Sequence, residues 1–330
     1  MRVLIIAAGS MGCLVGAKLS LAHHEVIATG SPRIYEAINK NGLIYHDLEG
    51  KTYPIQNLRM IKSIATLDTC DLPEICIITS KAYSLPSIIQ EYELILSQYS
   101  EVFLLQNGLG NEKLIGARFP NMILYRIISS NGATLKESHH IYQTGEGPSF
   151  LCRTYPIFPP LSPSITFPSS LSISHGQNNL DLLNSFLTAL ETCQMPLSIS
   201  TFPIRQVWEK AIINCAINPM GALLQQSNGF LIDNPHFWEI SGKVVEEILQ
   251  VAPQLEISLN SHSYYMDQIR DVLKATRPNK NSMLQDIENQ RPTEIDFLNG
   301  YITQMAAKFA ILVPYNEILV ALIRMKESAG

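Results

Sequence analysis

The sequence lacks the features that mark several large classes of protein. None of its six cysteines forms a C-x-x-C pair, so neither a zinc site nor a disulfide framework is predicted. No apolar run approaches the roughly 18 residues that span a bilayer. Acidic residues outnumber basic ones, 29 against 24, and the net charge of −5 argues against a general nucleic-acid binder. We therefore expect a soluble, cytoplasmic protein with neither nucleic-acid nor membrane partners.

Metal-ligand spacing is also missing from the eight histidines, so no metal is predicted. What the chain does have is length and apolar content. Its 330 residues are 46% hydrophobic, which is enough for a large core divided between two domains.

The chain begins with a strand, a glycine turn and a helix. We predict a strand over residues 3–8, a helix over 11–22 and a second strand over 25–29. This order is the context of a dinucleotide-binding fingerprint, whose helix N-terminus offers N–H groups and partial positive charge to a pyrophosphate. Ala7 replaces the first glycine of G-x-G-x-x-G and can still make the turn if its φ stays negative, as we expect for an alanine. The predicted phosphate-binding residues are Ala7, Ala8, Gly9, Ser10, Met11 and Gly12.

A secretory signal peptide is the competing interpretation of this segment, because Arg2 precedes an apolar stretch. Gly9, Ser10 and Gly12 interrupt that stretch early, and the strand–turn–helix pattern continues past them. The pattern therefore favours a folded nucleotide-binding start.

Strands and helices alternate through the first half of the chain, which predicts a doubly wound α/β domain. A hairpin-like stretch spans 43–55, buried strands at 75–79 and 102–105 end beside Lys81 and Asn107, and a strand from 123 ends in a Gly132–Ala133 turn. Ligands of an open parallel sheet lie outside the carboxyl ends of its strands, so these side chains are expected at the cofactor edge. The alternative is ordinary loop chemistry, since Asn-Gly is a common turn.

The second half of the chain is mostly helical. A stretch rich in proline and serine, residues 153–170, interrupts the pattern before a helix at 179–193 and a strand at 197–200. Predicted helices follow at 203–226, 235–254, 262–274, 293–309 and 314–328. We therefore expect a dinucleotide-binding domain over residues 1–200 and an all-helical domain over 201–330.

One predicted helix carries three polar residues in an apolar setting. Lys210, Asn214 and Asn218 are spaced i, i+4, i+8, which places them on one face. An ammonium and two amides in a buried helix need polar partners. The alternative is a lysine that reaches the surface beside two asparagines bonded to neighbouring backbone.

Five stretches of the chain together resemble the ketopantoate reductase family, the 2-dehydropantoate 2-reductases. They are the N-terminal glycine turn, Ser80–Ala82, Gln106–Gly110, Trp208–Pro219, and the pair Asn281–Asp286 with Pro292–Gly300. The resemblance covers nearly the whole chain. It implies a Rossmann-type doubly wound parallel sheet followed by an all-helical domain like the C-terminal one of 6-phosphogluconate dehydrogenase. It also implies NADPH-dependent reduction of ketopantoate to pantoate, on the way to pantothenate and coenzyme A.

The resemblance assigns roles residue by residue. Lys210 matches the lysine that protonates the substrate carbonyl oxygen as hydride reaches the carbon, a role that suits a positioned cation. Glu294 matches a catalytic glutamate that contacts cofactor ribose and substrate, although an acid in a first helical turn is the alternative. Asn107 matches a residue that touches both molecules, and Ala133 matches a backbone contact to the cofactor. The remaining substrate-binding matches are Asn214, Asn218, Asn228 and Ser282.

The cofactor preference depends on the residues after the second strand. Members of the family commonly carry a basic residue there for the 2′-phosphate of NADPH, whereas this chain has Ser31. Arg33 can compensate, and Lys81 matches a second phosphate contact. No acidic residue ends the strand to bond ribose hydroxyls, which favours NADPH over NADH.

Three alternatives remain open at this point. The chain can be a paralogue that reduces another branched 2-keto acid, or a non-catalytic relative that binds NADP. A dehydrogenase of 3-hydroxy acids or opines would need a different catalytic helix, and no such motif is present. The expected partner is a small 2-keto acid, and a homodimer is left open.

Overall fold

The computed structural model describes residues 1–155 and 177–329, so most of the proline-rich stretch at 153–170 lies outside the described residues. The chain divides into two compact units, residues 1–106 with 112–203 and residues 107–111 with 204–330. In the described part of the chain, every helix is too short or too polar to cross a membrane.

The described residues of the first unit form two β-sheets. Its strands are β1 (Arg2–Ile6), β2 (Glu25–Ala28), β3 (Leu43–His46), β4 (Thr52–Ile55), β5 (Leu58–Met60), β6 (Ile75–Ile78), β7 (Glu101–Leu104), β8 (Ile123–Ser129), β9 (Gly132–Lys136), β10 (His140–Gly145), β11 (Ser149–Tyr155) and β12 (Ser198–Ile199). Its helices are α1 (Ser10–Leu21), α2 (Pro32–Asn41), α3 (Leu85–Glu91), α4 (Glu93–Leu96), α5 (Asn111–Arg118) and α6 (Gln177–Thr192).

The larger sheet has the order β12-β11-β8-β7-β6-β1-β2-β5. From β5 to β8 all neighbours are parallel, while β11 runs antiparallel to β8. The parallel part is the strand order of a doubly wound dinucleotide-binding sheet, so the predicted fold class is confirmed.

The central strand shows why the sequence forms this sheet. In β1, Val3 and Ile5 pack into one apolar cluster, while Leu4 and Ile6 pack into another. Alternate residues of a strand point to opposite faces, so both faces of β1 are covered by core. A run of apolar residues is therefore typical of a parallel strand buried on both sides.

The second sheet has the order β4-β3-β10-β9. The predicted hairpin-like stretch forms the antiparallel pair of β3 and β4, but the prediction of a Gly132–Ala133 turn is wrong. Gly132 begins β9, which pairs antiparallel with β10. Without a Cβ, Gly132 can lie against Thr144, whose Oγ1 would be 2.6 Å from that atom. The chain therefore continues as a strand where a turn was expected.

The described part of the second unit beyond residue 203 is helical. Its helices are α7 (Pro203–Leu224), α8 (Asn228–Asp233), α9 (Pro235–Val251), α10 (His262–Ala275), α11 (Ser282–Glu288), α12 (Asn299–Lys308) and α13 (Pro314–Ser328). The short helices α8 and α11 were not predicted from the sequence. The helix expected at 293–309 begins only at Asn299, because a 3₁₀ turn, Ile295–Phe297, precedes it. The hydroxyl of Thr293 accepts the Ile295 N–H at 3.2 Å and fixes the chain in that turn.

Candidate active site

The turn after β1 depends on an alanine in a left-handed conformation. Ala7 has φ +60°, so the expectation that its φ stays negative is wrong. This conformation costs an alanine about 1–2 kcal/mol. The Ala7 N–H donates to Thr29 Oγ1 at 2.9 Å, and Thr79 Oγ1 donates to the Ala7 carbonyl at 3.1 Å. These two bonds from the ends of β2 and β6 offset the cost.

The N-terminus of α1 follows this turn and is open to a ligand. The N–H groups of Ser10, Met11 and Gly12 precede the first intrahelical bond, from Cys13 N–H to Gly9 O. Among the described residues, no heavy atom lies within 4 Å of a Cβ placed on Gly9. A Cβ on Gly12 would stand 2.4 Å from Thr79 Oγ1, so glycine there lets α1 pack closely on β6. The local backbone therefore fits a phosphate group.

β9 lies beside this helix end. The Leu135 N–H donates to Ser10 Oγ at 3.2 Å. Ala133, two residues earlier in β9, is half-buried and packs against the apolar cluster that includes Val15 of α1. The second sheet thus brings Ala133 to the side of the unit where α1 begins.

Two of the predicted cations follow the strands next to β1. Arg33 is exposed in the first turn of α2, after β2, and Lys81 is half-buried after β6. A third cation, Lys62, was not predicted from the sequence. It follows β5, and its Nζ lies 5.6 Å from the centre of the Tyr35 ring in α2. The three-residue length of β5 hid this position, since the segment gives too few residues for a strand pattern.

A buried network fixes the ends of the next strands. Gln106 Nε2 donates to the Ser80 carbonyl at 3.0 Å and to Ser80 Oγ at 2.9 Å. Arg126, 3% exposed, donates to the Gln106 carbonyl at 2.7 Å and forms an ion pair with Glu112 at 3.1 Å. Charge-assisted bonds of this kind are strong when shielded from water. They hold the residue before Asn107 in one place.

In the second unit, α7 carries the three polar residues expected on one helical face. Lys210 and Asn214 are half-buried, and Asn218 is 5% exposed. The neighbouring Glu209 accepts from Asn260 Nδ2 at 2.9 Å, and burial raises its pKa. Burial also raises the pKa of the Cys215 thiol well above its usual range. Cys215 is thus a neutral core residue and no candidate nucleophile.

The segment 107–111 packs on the residues that follow Glu294. The Leu109 N–H donates to the Phe297 carbonyl at 2.7 Å. Gly108 has φ +84°, and a Cβ on it would stand 2.6 Å from Phe297 Cβ. Only glycine combines that conformation with so close an approach. Asn107 Nδ2 consequently lies 3.5 Å from Glu294 Oε2, and Glu294 itself is 5% exposed.

Asn228 is held at the start of α8. Its Nδ2 donates to Thr276 Oγ1 at 2.8 Å. Among the described residues, its buried Oδ1 has no hydrogen-bond partner. This leaves one acceptor of Asn228 available to a hydroxyl group.

Ser282 is exposed at the start of α11. Asn281 caps this helix by accepting the Leu284 N–H at 3.0 Å. The amide nitrogen of Asn281 lies against Gly221 of α7, where a Cβ would be 2.1 Å away. Gly221 therefore lets the start of α11 dock one turn beyond Asn218. The N-cap asparagine was visible in the sequence as a helix-start signal.

Three residues outside these sites lie close enough together to hold a metal ion, which the sequence did not predict. Glu137, His139 and His140, in and beside the turn from β9 to β10, bring their ligating atoms within 4.8 Å of one another. His140 Nδ1 lies 2.9 Å from His46 Nε2, and His139 Nδ1 lies 2.9 Å from the Glu137 carbonyl. His139 and His140 thus each have one ring nitrogen in a hydrogen bond within the described residues.

The structure thus groups the candidate residues separately within each unit. The predicted phosphate turn, Arg33, Lys81 and Ala133 belong to the first unit. The second unit holds Asn107, Lys210, Asn214, Asn218, Asn228, Ser282 and Glu294. Glu294 is not a first-turn acid of the expected helix, since α12 begins five residues later.

Comparisons with known proteins match both units. A family model described as ketopantoate reductase PanE/ApbA matches residues 3–151, and its C-terminal counterpart matches residues 204–327. A 2-dehydropantoate 2-reductase of Pyrococcus horikoshii is 33% identical over 100% of this chain and 99% of its own. The chain is therefore an oxidoreductase built from a Rossmann-type and a helical unit. It belongs to the ketopantoate reductase family.

Solved structures agree with this fold. A PanE/ApbA family ketopantoate reductase from Ralstonia eutropha superposes with a TM-score of 0.83 at 23% identity, covering 100% of this chain and 99% of its own. A D-mandelate dehydrogenase solved with NADH and anilino(oxo)acetate also has a TM-score of 0.83, at 21% identity and the same coverage. The fold is thus shared by proteins named for different substrates.

Proposed function

We propose that the protein reduces ketopantoate to pantoate with NADPH, in the synthesis of pantothenate and coenzyme A. The observation that carries the proposal is the polar face of α7, where Lys210, Asn214 and Asn218 follow one another at successive turns. The family membership of the chain and the 2-dehydropantoate 2-reductase named among its relatives support the same reaction.

The residues of the second unit supply the acid and the binding groups. The Lys210 ammonium donates a proton to the keto oxygen, where negative charge develops as the carbon is reduced. Asn214 and Asn218 offer neutral amides that bind a carboxylate and hydroxyls without adding charge. Asn228 Oδ1, which lacks a partner among the described residues, accepts from a substrate hydroxyl. Glu294 and Asn107 orient the reacting groups beside each other.

The first unit is suited to a dinucleotide. Free N–H groups at the start of α1 and the open approach at Gly9 fit a pyrophosphate. Arg33 and Lys62, after neighbouring parallel strands, and Lys81 after β6 supply positive charge for a 2′-phosphate. The cofactor, when bound, supplies the hydride. The NADH named for the mandelate enzyme makes NADH the alternative to test.

Turnover by the purified protein tests the proposal. Oxidation of NADPH and of NADH is followed by the loss of reduced-nicotinamide absorbance with ketopantoate, other branched 2-keto acids and one aromatic 2-keto acid. We expect the highest kcat/KM with NADPH and ketopantoate. A higher value with another keto acid would assign the chain to a paralogous reductase. Cofactor binding without turnover of any of them would identify a non-catalytic relative.

Arg33 is expected to determine much of the preference for NADPH. Arg33→Ala removes a charge-assisted contact to the 2′-phosphate and should raise the KM for NADPH about tenfold, while the KM for NADH changes little. Lys40→Ala is the matched control, since Lys40 is an exposed cation in the last turn of the same helix. Equal effects of Arg33→Ala on both cofactors would assign the phosphate contact elsewhere.

A homodimer is a further part of the proposal. Four apolar side chains lie along one face of α13, with exposed fractions of 38% for Tyr315, 56% for Ile318, 38% for Leu322 and 67% for Met325. The pattern is symmetric about residue 320, so an antiparallel second copy of the helix would set Tyr315 against Met325 and Ile318 against Leu322. A self-complementary face of this kind suits an isologous dimer.

Sedimentation velocity checks the homodimer. The unmodified chain is expected to sediment as a dimer, and Ile318→Glu as a monomer. Leu94→Glu, at an 80% exposed leucine in the first unit, serves as the control and should leave the dimer intact. A monomeric unmodified protein would reject this part of the proposal.

The cytoplasmic location stays a prediction, supported by six free cysteines.

A further inference from the structure

A proline interrupts the hydrogen bonding of α7 within the candidate site. Pro219 lies inside the helix, directly after Asn218. Proline has no N–H, so the carbonyl four residues earlier, that of Cys215, loses its usual helical donor. Cys215 is fully buried, which denies this carbonyl a replacement bond from bulk water. A polar group in this position needs another donor from the protein.

Asn299 supplies that donor. Its Nδ2 lies 3.2 Å from the Cys215 carbonyl and 3.0 Å from Asn316 Oδ1. A carbonyl can only accept, so the amide nitrogen of Asn299 must face Cys215. Both asparagines are fully buried at the starts of α12 and α13.

Hydrogen bonds of Asn316 and Glu247 fix the orientation of the Asn299 amide. Asn316 Nδ2 donates to Glu247 Oε2 at 2.7 Å, which turns Asn316 Oδ1 towards Asn299. The Glu247 carboxylate also accepts the N–H groups of Tyr315 and Asn316 at 2.9 and 3.0 Å. The carboxylate thereby caps α13. It also sets the donor and acceptor in each hydrogen bond of the series that runs through Asn316 and Asn299 to the Cys215 carbonyl.

Asn299 joins two parts of the candidate site. Cys215 follows Asn214 in α7, and Asn299 lies five residues after Glu294. We propose that Asn299 is a positioning residue: its amide replaces the helical bond lost at Pro219 and holds the Asn214–Asn218 turn in register with the Glu294 segment. The catalytic consequence rests on the proposed function, whereas the structural one does not.

A double-mutant cycle tests the proposal. Asn299→Leu removes the donor, and Pro219→Ala returns an N–H to the Cys215 carbonyl. Asn299→Leu also leaves Asn316 without its partner, but that loss is common to the single and double variants. The comparison of those two variants therefore isolates the Cys215 carbonyl. Pro219→Ala alone is expected to turn over like the unmodified enzyme.

We expect Asn299→Leu to lower kcat/KM for the keto acid about tenfold or more, since small misplacements of binding groups are costly in rate. The KM for the keto acid should rise while the KM for NADPH changes little. A general loss of folded protein would instead lower the apparent kcat and leave both KM values unchanged. The double variant should recover to within about threefold of the unmodified enzyme. If Asn299→Leu does not fold, recovery of a folded double variant is the expected result.

Hydrogen exchange of the α7 peptide gives a readout that does not need turnover. Asn299→Leu should speed exchange in the turn around Asn218, and Pro219→Ala in the same background should slow it again. Absence of turnover in the unmodified protein, with this exchange pattern intact, would reject the proposed function alone. A double variant no better than Asn299→Leu in exchange, activity or folding would overturn the role of Asn299.

Discussion

Lys210→Ala is expected to lower kcat for the keto acid by about three orders of magnitude, because it removes both a proton donor and a positive charge beside the keto oxygen. The affinity for NADPH should stay nearly unchanged, since the residues predicted to hold the pyrophosphate belong to the first unit. Stopped-flow measurement of NADPH oxidation under saturating keto acid, with cofactor binding followed by fluorescence, checks both expectations.

Two controls make the result specific. Lys243→Ala removes an exposed lysine of α9 that pairs with Glu246, and it should leave kcat unchanged. Lys210→Arg keeps the charge but holds its proton too tightly to act as an acid, so it should remain close to Lys210→Ala. Loss of NADPH binding in folded Lys210→Ala, or full activity of that variant, would contradict the assigned role.

The sequence predicted α7 well because its signal is local. Apolar residues fill the positions between Lys210, Asn214 and Asn218, and the 3.6-residue period places those three on one face whatever the rest of the chain does. The alternating pattern of the first half likewise indicated a parallel sheet, since strands buried on both faces are continuously apolar.

The turn at Ala7 was mispredicted because its support is distant in sequence. A lone alanine in place of glycine favours a negative φ. The bonds that stabilise φ +60° come from Thr29 and Thr79, which the sheet brings together. No pattern within one segment contains that information.

The candidate site shows the same limit. Asn299 lies in the matched stretch Pro292–Gly300, but nothing in the sequence assigned it a role. Its proposed role depends on the Cys215 carbonyl, 84 residues away in the sequence. Lys62 follows a strand of three residues, which is too short to be recognised. Long-range hydrogen bonds and short elements were thus not predictable from the sequence, whereas Lys210, Asn214 and Asn218 lie in a helix close to its predicted bounds.

Gly108→Ala is expected to lower kcat/KM for the keto acid about 100-fold. A Cβ at this position meets Phe297 Cβ at 2.6 Å and the Phe297 carbonyl at 2.9 Å. The segment 107–111 must then move away from Phe297, which breaks the bond from the Leu109 N–H and displaces Asn107 from Glu294. Steady-state kinetics with varied keto acid and varied NADPH should show KM rising for both, because Asn107 is proposed to touch both molecules.

Backbone strain is separated from this displacement by a matched glycine. Gly50 has φ +83°, almost the value of Gly108, but among the described residues no heavy atom lies within 4 Å of a Cβ placed there. Gly50→Ala therefore carries the same conformational cost, about 1–2 kcal/mol, without a collision. It should lower the melting temperature and leave kcat/KM unchanged. If Gly50→Ala and Gly108→Ala lose stability and activity alike, strain alone explains the effect, and the contact with Phe297 does not position Asn107.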